Sequence, residues 1–228
     1  MKHFSKVMIV FILASGVFVW GVLALAGGGG GVSADEALQR LLAGNKRYVD
    51  GKLKACGEAT KERRESLAKS QQPYAAILAC SDSRVPPEII FDQTLGDIFV
   101  IRVAGNVPDP IVLGSMEYAV EHLGSPLVMV LGHERCGAVT SAVDARGKTE
   151  GNISSFLRKI MPAVDKAKAE AKGKSREEVI EQAADYNVHL TAESIITHSP
   201  VVRQLVKEGK VKIVKAKYDL DNGKATLY

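Results

Sequence analysis

Two short segments place metal-binding and acid–base side chains close together. The first, CSDSR, puts Cys80, Asp82 and Arg84 within five residues, directly after the apolar run AAILA. The second, LGHERCGAV, puts His133 and Cys136 three residues apart. Zinc binds thiolates and imidazoles, and a catalytic zinc site keeps its fourth position open for water. We therefore predict a site for Zn²⁺, one per subunit, formed by Cys80, His133 and Cys136.

The aspartate and arginine of the first segment suit proton handling beside such a metal. Zinc held by two thiolates has no net charge in its first shell. It should acidify a bound water less than zinc held by three histidines, whose water titrates near ~7. Asp82 can accept a hydrogen bond from that water, and the planar fork of Arg84 can hold the carboxylate in place. Without this restraint, we expect the carboxylate to bind the metal itself and close the site.

The elements around these segments alternate between strands and helices. YAAILAC, IFVIRV and PLVMVLG are short apolar runs, typical of parallel strands that are covered on both faces. A capping box at Ser175 and Glu178 begins a long helix that ends near His198. Asn222-Gly223 between the last two runs is a hairpin signal, which adds an antiparallel edge strand. We predict an α/β fold with a central, mostly parallel β-sheet and helices on both faces.

The chemical side chains all follow apolar runs. Cys80 and Asp82 come after one predicted strand and His133 after another. Ligands of such sheets bind beyond the carboxyl ends of the strands, so we expect these residues to converge there. We also predict a helix from about Glu134, whose first turn would present His133 and Cys136 to one point.

Residues 1–34 have the pattern of a secretory signal. Two lysines precede an apolar stretch over residues 7–26, and glycines and Val-Ser-Ala follow it. We predict cleavage after Ala34, with the Ala-Leu-Ala sequence that ends the apolar stretch as a second possible site. Because about 20 apolar residues can span a bilayer, an uncleaved membrane anchor is the alternative. In both cases residues 35–228 form a single domain outside the cytoplasm, which we expect to lie in the periplasm.

The net charge limits the binding partners that we expect, and the cysteine content leaves a disulfide open. The net charge is only +4, with 30 basic and 26 acidic residues interspersed, so we expect no nucleic-acid partner. We also expect no membrane contact beyond the signal segment. An exported chain could join Cys80 and Cys136 in a disulfide, and Asp82 with Arg84 could form an ordinary salt bridge. Cys56 has no partner in either segment.

The two segments resemble the signature motifs of the β-class carbonic anhydrases. CSDSR and GHERCGAV stand in matching order and separation, and the resemblance continues through FDQTLGDIFVIRVAGNV and NVHLTAES to YDLDNG. It implies a lyase that interconverts CO2 and bicarbonate through zinc-bound hydroxide. Cys80, His133 and Cys136 would be the zinc ligands, and Asp82 and Arg84 the catalytic pair. A CS2 or COS hydrolase on the same fold, or a non-catalytic zinc-binding or disulfide-carrying protein, are the alternatives.

The resemblance also implies a substrate pocket and an assembly. In the plant-like branch of the family, the pocket residues match Gln71, a donor to bicarbonate, and Phe99 and Tyr118, apolar walls for CO2. The amide of Gly137, at a predicted helix start, is a further candidate for orienting the anion. The family builds its site across a dimer interface and wraps its N-terminal helix around the partner. We therefore expect a homodimer or a tetramer.

One position separates this chain from the self-inhibited branch of the family. Bacterial members of that branch carry a tryptophan three residues before the first cysteine ligand, where this chain has Ile77. Arg102 stands at the matching arginine position, but without the tryptophan the inhibitory pocket is incomplete. We therefore predict an open site, in which Arg84 holds Asp82 and water is the fourth zinc ligand.

Overall fold

The computed structural model describes residues 31–145 and 151–228, so nearly all of the predicted signal lies outside the described residues. The described part contains a five-stranded sheet surrounded by helices. The strands are β1 (Ala75–Ala79), β2 (Ile98–Arg102), β3 (Leu127–His133), β4 (Lys212–Tyr218) and β5 (Ala225–Leu227). The helices are α1 (Ala34–Val49), α2 (Ala55–Glu58), α3 (Lys61–Leu67), α4 (Pro87–Ile90), α5 (Pro110–Glu117), α6 (Gly137–Asp144), α7 (Ile153–Ala169), α8 (Arg176–His198) and α9 (Pro200–Lys207). A 3₁₀ turn covers Ala104–Asn106 and a π-helical turn covers Tyr118–His122.

The sheet confirms the predicted fold class. Its strand order is β2-β1-β3-β4-β5. The first four strands of this order are parallel, and β5 runs antiparallel to β4. The hairpin turn lies at the predicted Asn222-Gly223, where Gly223 adopts a positive φ of 77°. Because β1 and β3 are neighbours, the segments that follow them emerge side by side at one edge of the sheet.

Helices cover both faces of the sheet, as predicted. Successive side chains of β1 point to opposite faces. Ile77 packs with Leu41 of α1 in one apolar cluster, whereas Leu78 packs with Met116 of α5 and Ile195 of α8 in the other. All five side chains are essentially inaccessible to solvent, and full burial of such a side chain contributes roughly 1.5–3 kcal/mol.

The N-terminal helix packs on the sheet of its own chain. Its buried side chains include Ala37, Leu38 and Leu41, and they join the cluster that contains Ile77 and Met129 of the sheet. The apolar stripe of α1 is therefore used within the chain. That α1 also wraps a partner subunit remains a prediction.

Helix α8 packs on one face of the sheet, where Val188, Ala192 and Ile195 join the apolar cluster of β1 and β3. The capping box of α8 is present: Ser175 Oγ accepts from the Glu178 amide at 3.2 Å, and Glu178 Oε2 accepts from the Ser175 amide at 2.7 Å. The helix ends at His198, as predicted.

Helix α7 was not predicted, and it packs with α6 and α8 in a third apolar cluster that includes Cys80 and Cys136. Among the described residues, no helix is long and apolar enough to cross a membrane.

Candidate metal centre

The structure brings together the three residues predicted to bind metal. Cys80 directly follows β1, His133 is the last residue of the neighbouring strand β3, and Cys136 is the N-cap of α6. All three side chains are buried. Their Sγ and ring-nitrogen atoms lie within 4.8 Å of one another, close enough to bind a single ion.

The turn that joins His133 to Cys136 differs from the prediction. A helix from Glu134 was expected, but α6 begins at Gly137. The reason is that Glu134 is still tied to the sheet, since its amide donates to the carbonyl of Tyr218 on β4 at 3.1 Å. The chain then reverses at Arg135, whose φ is +48°. This turn, rather than one turn of helix, brings the two ligands to the same point.

The arrangement of the two thiols fits zinc. Cys80 Sγ and Cys136 Sγ are 4.0 Å apart, and tetrahedral zinc with Zn–S distances of about 2.3 Å separates two thiolates by about 3.8 Å. Both cysteines are free, because their separation is far beyond a disulfide bond length of about 2.05 Å. The structure therefore contains no disulfide between Cys80 and Cys136.

The imidazole of His133 also fits a metal ligand. Its Nδ1 lies 2.8 Å from the carbonyl oxygen of Glu134. A carbonyl only accepts hydrogen bonds, so the proton is on Nδ1 and Nε2 has a free lone pair. This Nε2 is buried and has no hydrogen-bond partner among the described residues. Buried polar atoms are almost always satisfied, so an unpartnered nitrogen beside two thiols fits a group that could bind a metal ion.

The contact between the two thiols favours ionisation of Cys80 and keeps the proton on Cys136. The hydrogen bond with Cys136 lowers the pKa of Cys80, against the opposing effect of burial. The amide of Gly105 adds a hydrogen bond to Cys80 Sγ at 3.3 Å. The same contact with Cys80 raises the pKa of Cys136. Zinc binds thiolates, so a divalent cation that bound both sulfur atoms would displace the thiol protons that remain.

Asp82 and Arg84 form a two-pronged ion pair beside this cluster. Arg84 Nε donates to Asp82 Oδ1 at 2.9 Å, and Arg84 Nη2 donates to Oδ2 at 2.8 Å. This contact holds the pKa of the Asp82 carboxyl well below its usual range. Asp82 Oδ2 lies 4.0 Å from His133 Nε2, so the carboxylate is next to the cluster and restrained by the guanidinium. This is the pairing predicted for an open site.

Arg102 organises the backbone of the first segment. Its Nε donates to the carbonyl of Cys80 at 3.0 Å, and its Nη2 donates to the carbonyl of Asp82 at 2.6 Å. The sequence analysis considered this arginine only as half of an inhibitory anion pocket. Ile77, at the position of the absent tryptophan, is fully buried in β1. The two hydrogen bonds of Arg102 therefore hold the backbone of the CSDSR segment in place.

Of the four residues predicted to contact substrate, only Gly137 is near the cluster. It is the exposed first residue of α6, next to Cys136. Gln71 and Tyr118 line a separate groove of 820 Å³, and the ring of Phe99 lies 6.2 Å from that of Tyr118. Phe99 pairs with a residue of β1 four positions before Cys80, which is about 13 Å along the strand. One chain thus groups Gln71, Phe99 and Tyr118 together, away from the metal cluster.

His122 belongs to the same groove. Its ring lies 5.5 Å from that of Tyr118, and it lines the groove with Gln71. The sequence analysis did not single out His122. Its spacing of four residues from Tyr118 places the two on one helical face, and this was the signal that could have linked them.

A second group of acidic side chains is not a comparable site. The carboxylates of Glu134, Asp219 and Asp221 lie close enough to surround an ion. Glu134, however, accepts from the amide of Leu220, and Asp221 is held by the guanidinium of Arg135. These groups stabilise the turn between β4 and β5.

The comparisons with known proteins agree with this geometry. A sequence model of the carbonic anhydrase family matches residues 75–225. The chain is 40% identical over 199 residues to a carbonic anhydrase 2 of Mycobacterium tuberculosis, which covers 86% of this chain and 92% of that protein. It also superposes on a Coccomyxa β-carbonic anhydrase solved with acetazolamide, with a TM-score of 0.70, 26% identity and coverage of 83% and 85% of the two chains. The chain belongs to the β-class carbonic anhydrases.

A further β-carbonic anhydrase, a tetrameric one from Sordaria macrospora, has the same fold at 23% identity, with a TM-score of 0.68 and coverage of 83% and 95% of the two chains. As a carbonic anhydrase, this protein is an enzyme that interconverts CO2 and bicarbonate, and its substrate is a small molecule. The relatives do not favour a non-catalytic protein. The predicted enzyme class is therefore confirmed.

Proposed function

We propose that this carbonic anhydrase hydrates CO2 at a Zn²⁺ ion held by Cys80, His133 and Cys136, one ion per chain. The observation that carries the proposal is the unpartnered, buried His133 Nε2, which faces two thiols 4.0 Å apart. When bound, zinc supplies a Lewis acid that makes water a nucleophile at neutral pH. Two thiolates and a neutral imidazole form the ligand set that neutralises its charge.

Asp82 orients the nucleophilic water by accepting a hydrogen bond from it. Because the pKa of Asp82 lies well below its usual range, the carboxylate stays ionised at neutral pH. The carboxylate therefore accepts a hydrogen bond from the water but does not take up the proton that the water releases. That proton must pass to solvent. Arg84 keeps both oxygens of the carboxylate away from the metal. The Gly137 amide, at the positive end of α6, orients the bicarbonate anion.

Stopped-flow measurement of CO2 hydration, on protein whose zinc content is measured, tests this function. We expect one zinc per chain, loss of activity on treatment with a chelator, and recovery when zinc is restored. Full zinc occupancy without CO2 hydration would indicate a non-catalytic zinc-binding protein. Assays with CS2 and COS on the same preparation test the hydrolase alternative.

A second copy of the chain completes the substrate pocket. Gln71, Phe99 and Tyr118 lie apart from the metal cluster of their own chain. Strand β2 is an edge of the sheet, and large apolar side chains are exposed on either side of it. They are Leu53, Ile89, Leu95, Ile111 and Tyr118, which are 44–80% exposed. We call this surface the β2 edge patch. Exposed apolar patches of this kind mark protein–protein interfaces.

The symmetry of a dimer explains how this patch serves the site. A two-fold axis at the sheet edge and perpendicular to β2 would place the two copies of that strand antiparallel. The start of one β2, at Phe99, would then lie near the end of the other, where Arg102 contacts the metal segment. Gln71, Phe99 and Tyr118 of one chain would therefore wall the pocket over the metal of its partner. This arrangement supports a homodimer as the smallest active unit, and two such dimers can form a tetramer.

Mixing two inactive variants tests the shared site. Asp82→Asn damages the metal half, and Gln71→Leu damages the pocket half without changing the side-chain volume much. We expect each variant alone to be impaired. When the two are coexpressed in equal amounts, mixed dimers contain one intact site, so about one quarter of the wild-type sites should recover in a two-fold dimer. The measurement is the CO2 hydration rate of the mixture relative to the two pure variants.

Two results would contradict the shared pocket. If the mixture shows only the average activity of the two pure variants, each site is built within one chain. If Gln71→Leu is fully active by itself, Gln71 does not contact substrate. Mixing two copies of Asp82→Asn that carry different tags is the control for the coexpression.

The N-terminal signal directs the chain, in this proposal, out of the cytoplasm and into the periplasm. The described start of the domain favours the earlier of the two predicted cleavage sites. Val32 is only 8% exposed and belongs to the apolar core, and Ser33 Oγ caps α1 by accepting from the Glu36 amide at 3.2 Å. Cleavage after Ala34 would remove both residues, and loss of such a cap costs about 1 kcal/mol.

We therefore expect the mature chain to begin at Gly27. Intact-mass and N-terminal peptide measurements on protein recovered from the periplasm check this. A mature chain that begins at Asp35 would show that α1 forms without its cap. A full-length chain in the membrane fraction would support the uncleaved anchor.

A further inference from the structure

The turn between two of the proposed zinc ligands contains a strained residue. Arg135 lies between His133 and Cys136 and has a φ of +48°, in the left-handed region. Residues other than glycine rarely adopt this conformation, because it is strained for a side chain with a Cβ atom. The turn reverses the chain just enough for Cys136 to face back towards His133. Something in the surrounding structure must therefore hold the Arg135 backbone in place.

The group that holds it is a carboxylate from α8. Glu181 Oε1 accepts a hydrogen bond from the amide of Arg135 at 2.7 Å. The other oxygen, Oε2, lies 2.9 Å from Nζ of Lys217 on β4, and Lys217 pairs in register with Gly132, one residue before His133. A charge-assisted hydrogen bond to a backbone amide is about twice as strong as a neutral one. Glu181 thus forms an ion pair with Lys217 of the sheet, which also pairs with Asp185, and a hydrogen bond with the Arg135 amide of the turn.

We propose that Glu181 is a positioning residue for the metal centre. Its carboxylate holds the left-handed Arg135 peptide, so that Cys136 Sγ and His133 Nε2 converge on one ion. The inference rests on the metal site of the proposed function, but it does not depend on which reaction the metal serves. Neither sequence motif includes Glu181, which lies 45 residues after Cys136.

The side chain of Arg135 gives no comparable restraint. Its guanidinium extends into solvent and pairs with Asp221 at 3.0 and 2.9 Å, where both side chains are more than half exposed. Exposed ion pairs of this kind contribute little to stability because solvent screens them. The backbone amide, rather than the guanidinium, is therefore the part of Arg135 on which Glu181 acts. This difference allows the two contributions to be separated by substitution.

The test is the rate at which zinc-loaded protein releases its metal to a coloured chelator. Loss of a partner that orients a metal ligand typically costs 10–100-fold in affinity or activity, and we expect Glu181→Ala to release zinc about 10–100-fold faster. Glu181→Gln keeps the Oε1 acceptor and should change the rate much less. The visible spectrum of the cobalt-substituted protein should shift in Glu181→Ala, because the geometry of the sulfur ligands changes.

A second substitution in the Glu181→Ala background decides the mechanism. Arg135→Gly removes the strain of the left-handed residue, so it should restore most of the slow zinc release. Arg135→Ala removes the same guanidinium but keeps a Cβ, and it should restore little. Equal recovery by glycine and alanine would overturn the proposal, as would wild-type zinc release from Glu181→Ala. Zinc-loaded wild-type protein that fails to hydrate CO2 would contradict the proposed function but leave this comparison valid.

Discussion

Replacement of Cys136 by alanine should remove bound zinc and CO2 hydration together. Cys136 is 2% exposed and supplies one of two thiols whose sulfur atoms are 4.0 Å apart. Without it, His133 and Cys80 cannot surround a tetrahedral ion. Because even a partner that only orients a ligand costs 10–100-fold, we expect removal of a ligand to weaken zinc binding by more than about 100-fold. Zinc per chain after gel filtration and the stopped-flow hydration rate are the two measurements.

A matched cysteine variant controls for the loss of a thiol. Cys56 belongs to neither sequence motif, so Cys56→Ser should keep both zinc and activity. Because Cys136 is buried and caps α6, a thermal unfolding curve of the Cys136→Ala variant must show that the chain is still folded. A folded Cys136→Ala protein with one zinc per chain would exclude this residue from the ligand set.

Substitution of Asp82 by asparagine should slow CO2 hydration and leave zinc in place. Asparagine has the shape of aspartate but no charge. Arg84 donates to the two carboxylate oxygens of Asp82 at 2.9 and 2.8 Å. In the asparagine variant, the side-chain NH2 group would replace one of these oxygens and face an N–H donor of Arg84. The side chain can then no longer offer ionised oxygens both to Arg84 and to the nucleophilic water. We expect a loss on the order of 10²–10⁴-fold, typical for a removed proton-handling group.

Arg84 should affect the CO2 hydration rate through its two-pronged contact with Asp82. Arg84→Ala leaves Asp82 ionised and unrestrained, so the carboxylate can reach the metal and close the open site. Arg84→Lys keeps the positive charge but loses the two-pronged contact, and we expect its rate to lie between those of the alanine variant and the wild type. Wild-type rates in both Asp82→Asn and Arg84→Ala would reduce the pair to a structural salt bridge.

The fold could be predicted from the sequence because its signals are local. Continuous apolar runs such as the one before Cys80 predicted buried parallel strands, and all of these strands are present, although β2 lies at the sheet edge and is not buried. The Ser175–Glu178 capping box and the Asn222-Gly223 turn also lie where they were predicted. Helix α7 was missed although its buried residues Leu157, Ile160, Val164 and Ala167 recur every three or four positions, which is an amphipathic pattern. Pro162 lies inside the helix and is the one local signal against it.

The pairing of Asp82 with Arg84 could also be predicted, because residues two positions apart in the sequence stay close together in the folded chain. The separation of Gln71, Phe99 and Tyr118 from the metal cluster could not. A resemblance assigns residues to one pocket without saying which copy of the chain each comes from. Only the register of β2 against β1 shows that Phe99 lies well before the strand end that carries Cys80.

The types of the candidate metal ligands at Cys80, His133 and Cys136, and the strand ends that bring them together, could be read from the sequence. Parallel strands have a regular rise and direction, so residues that follow neighbouring strands must meet. The contacts around this candidate centre became visible only in the folded chain. The contact of Glu181 with the Arg135 amide joins elements that are far apart in sequence. Such a contact depends on the packing of α8 against the sheet, which no local pattern specifies.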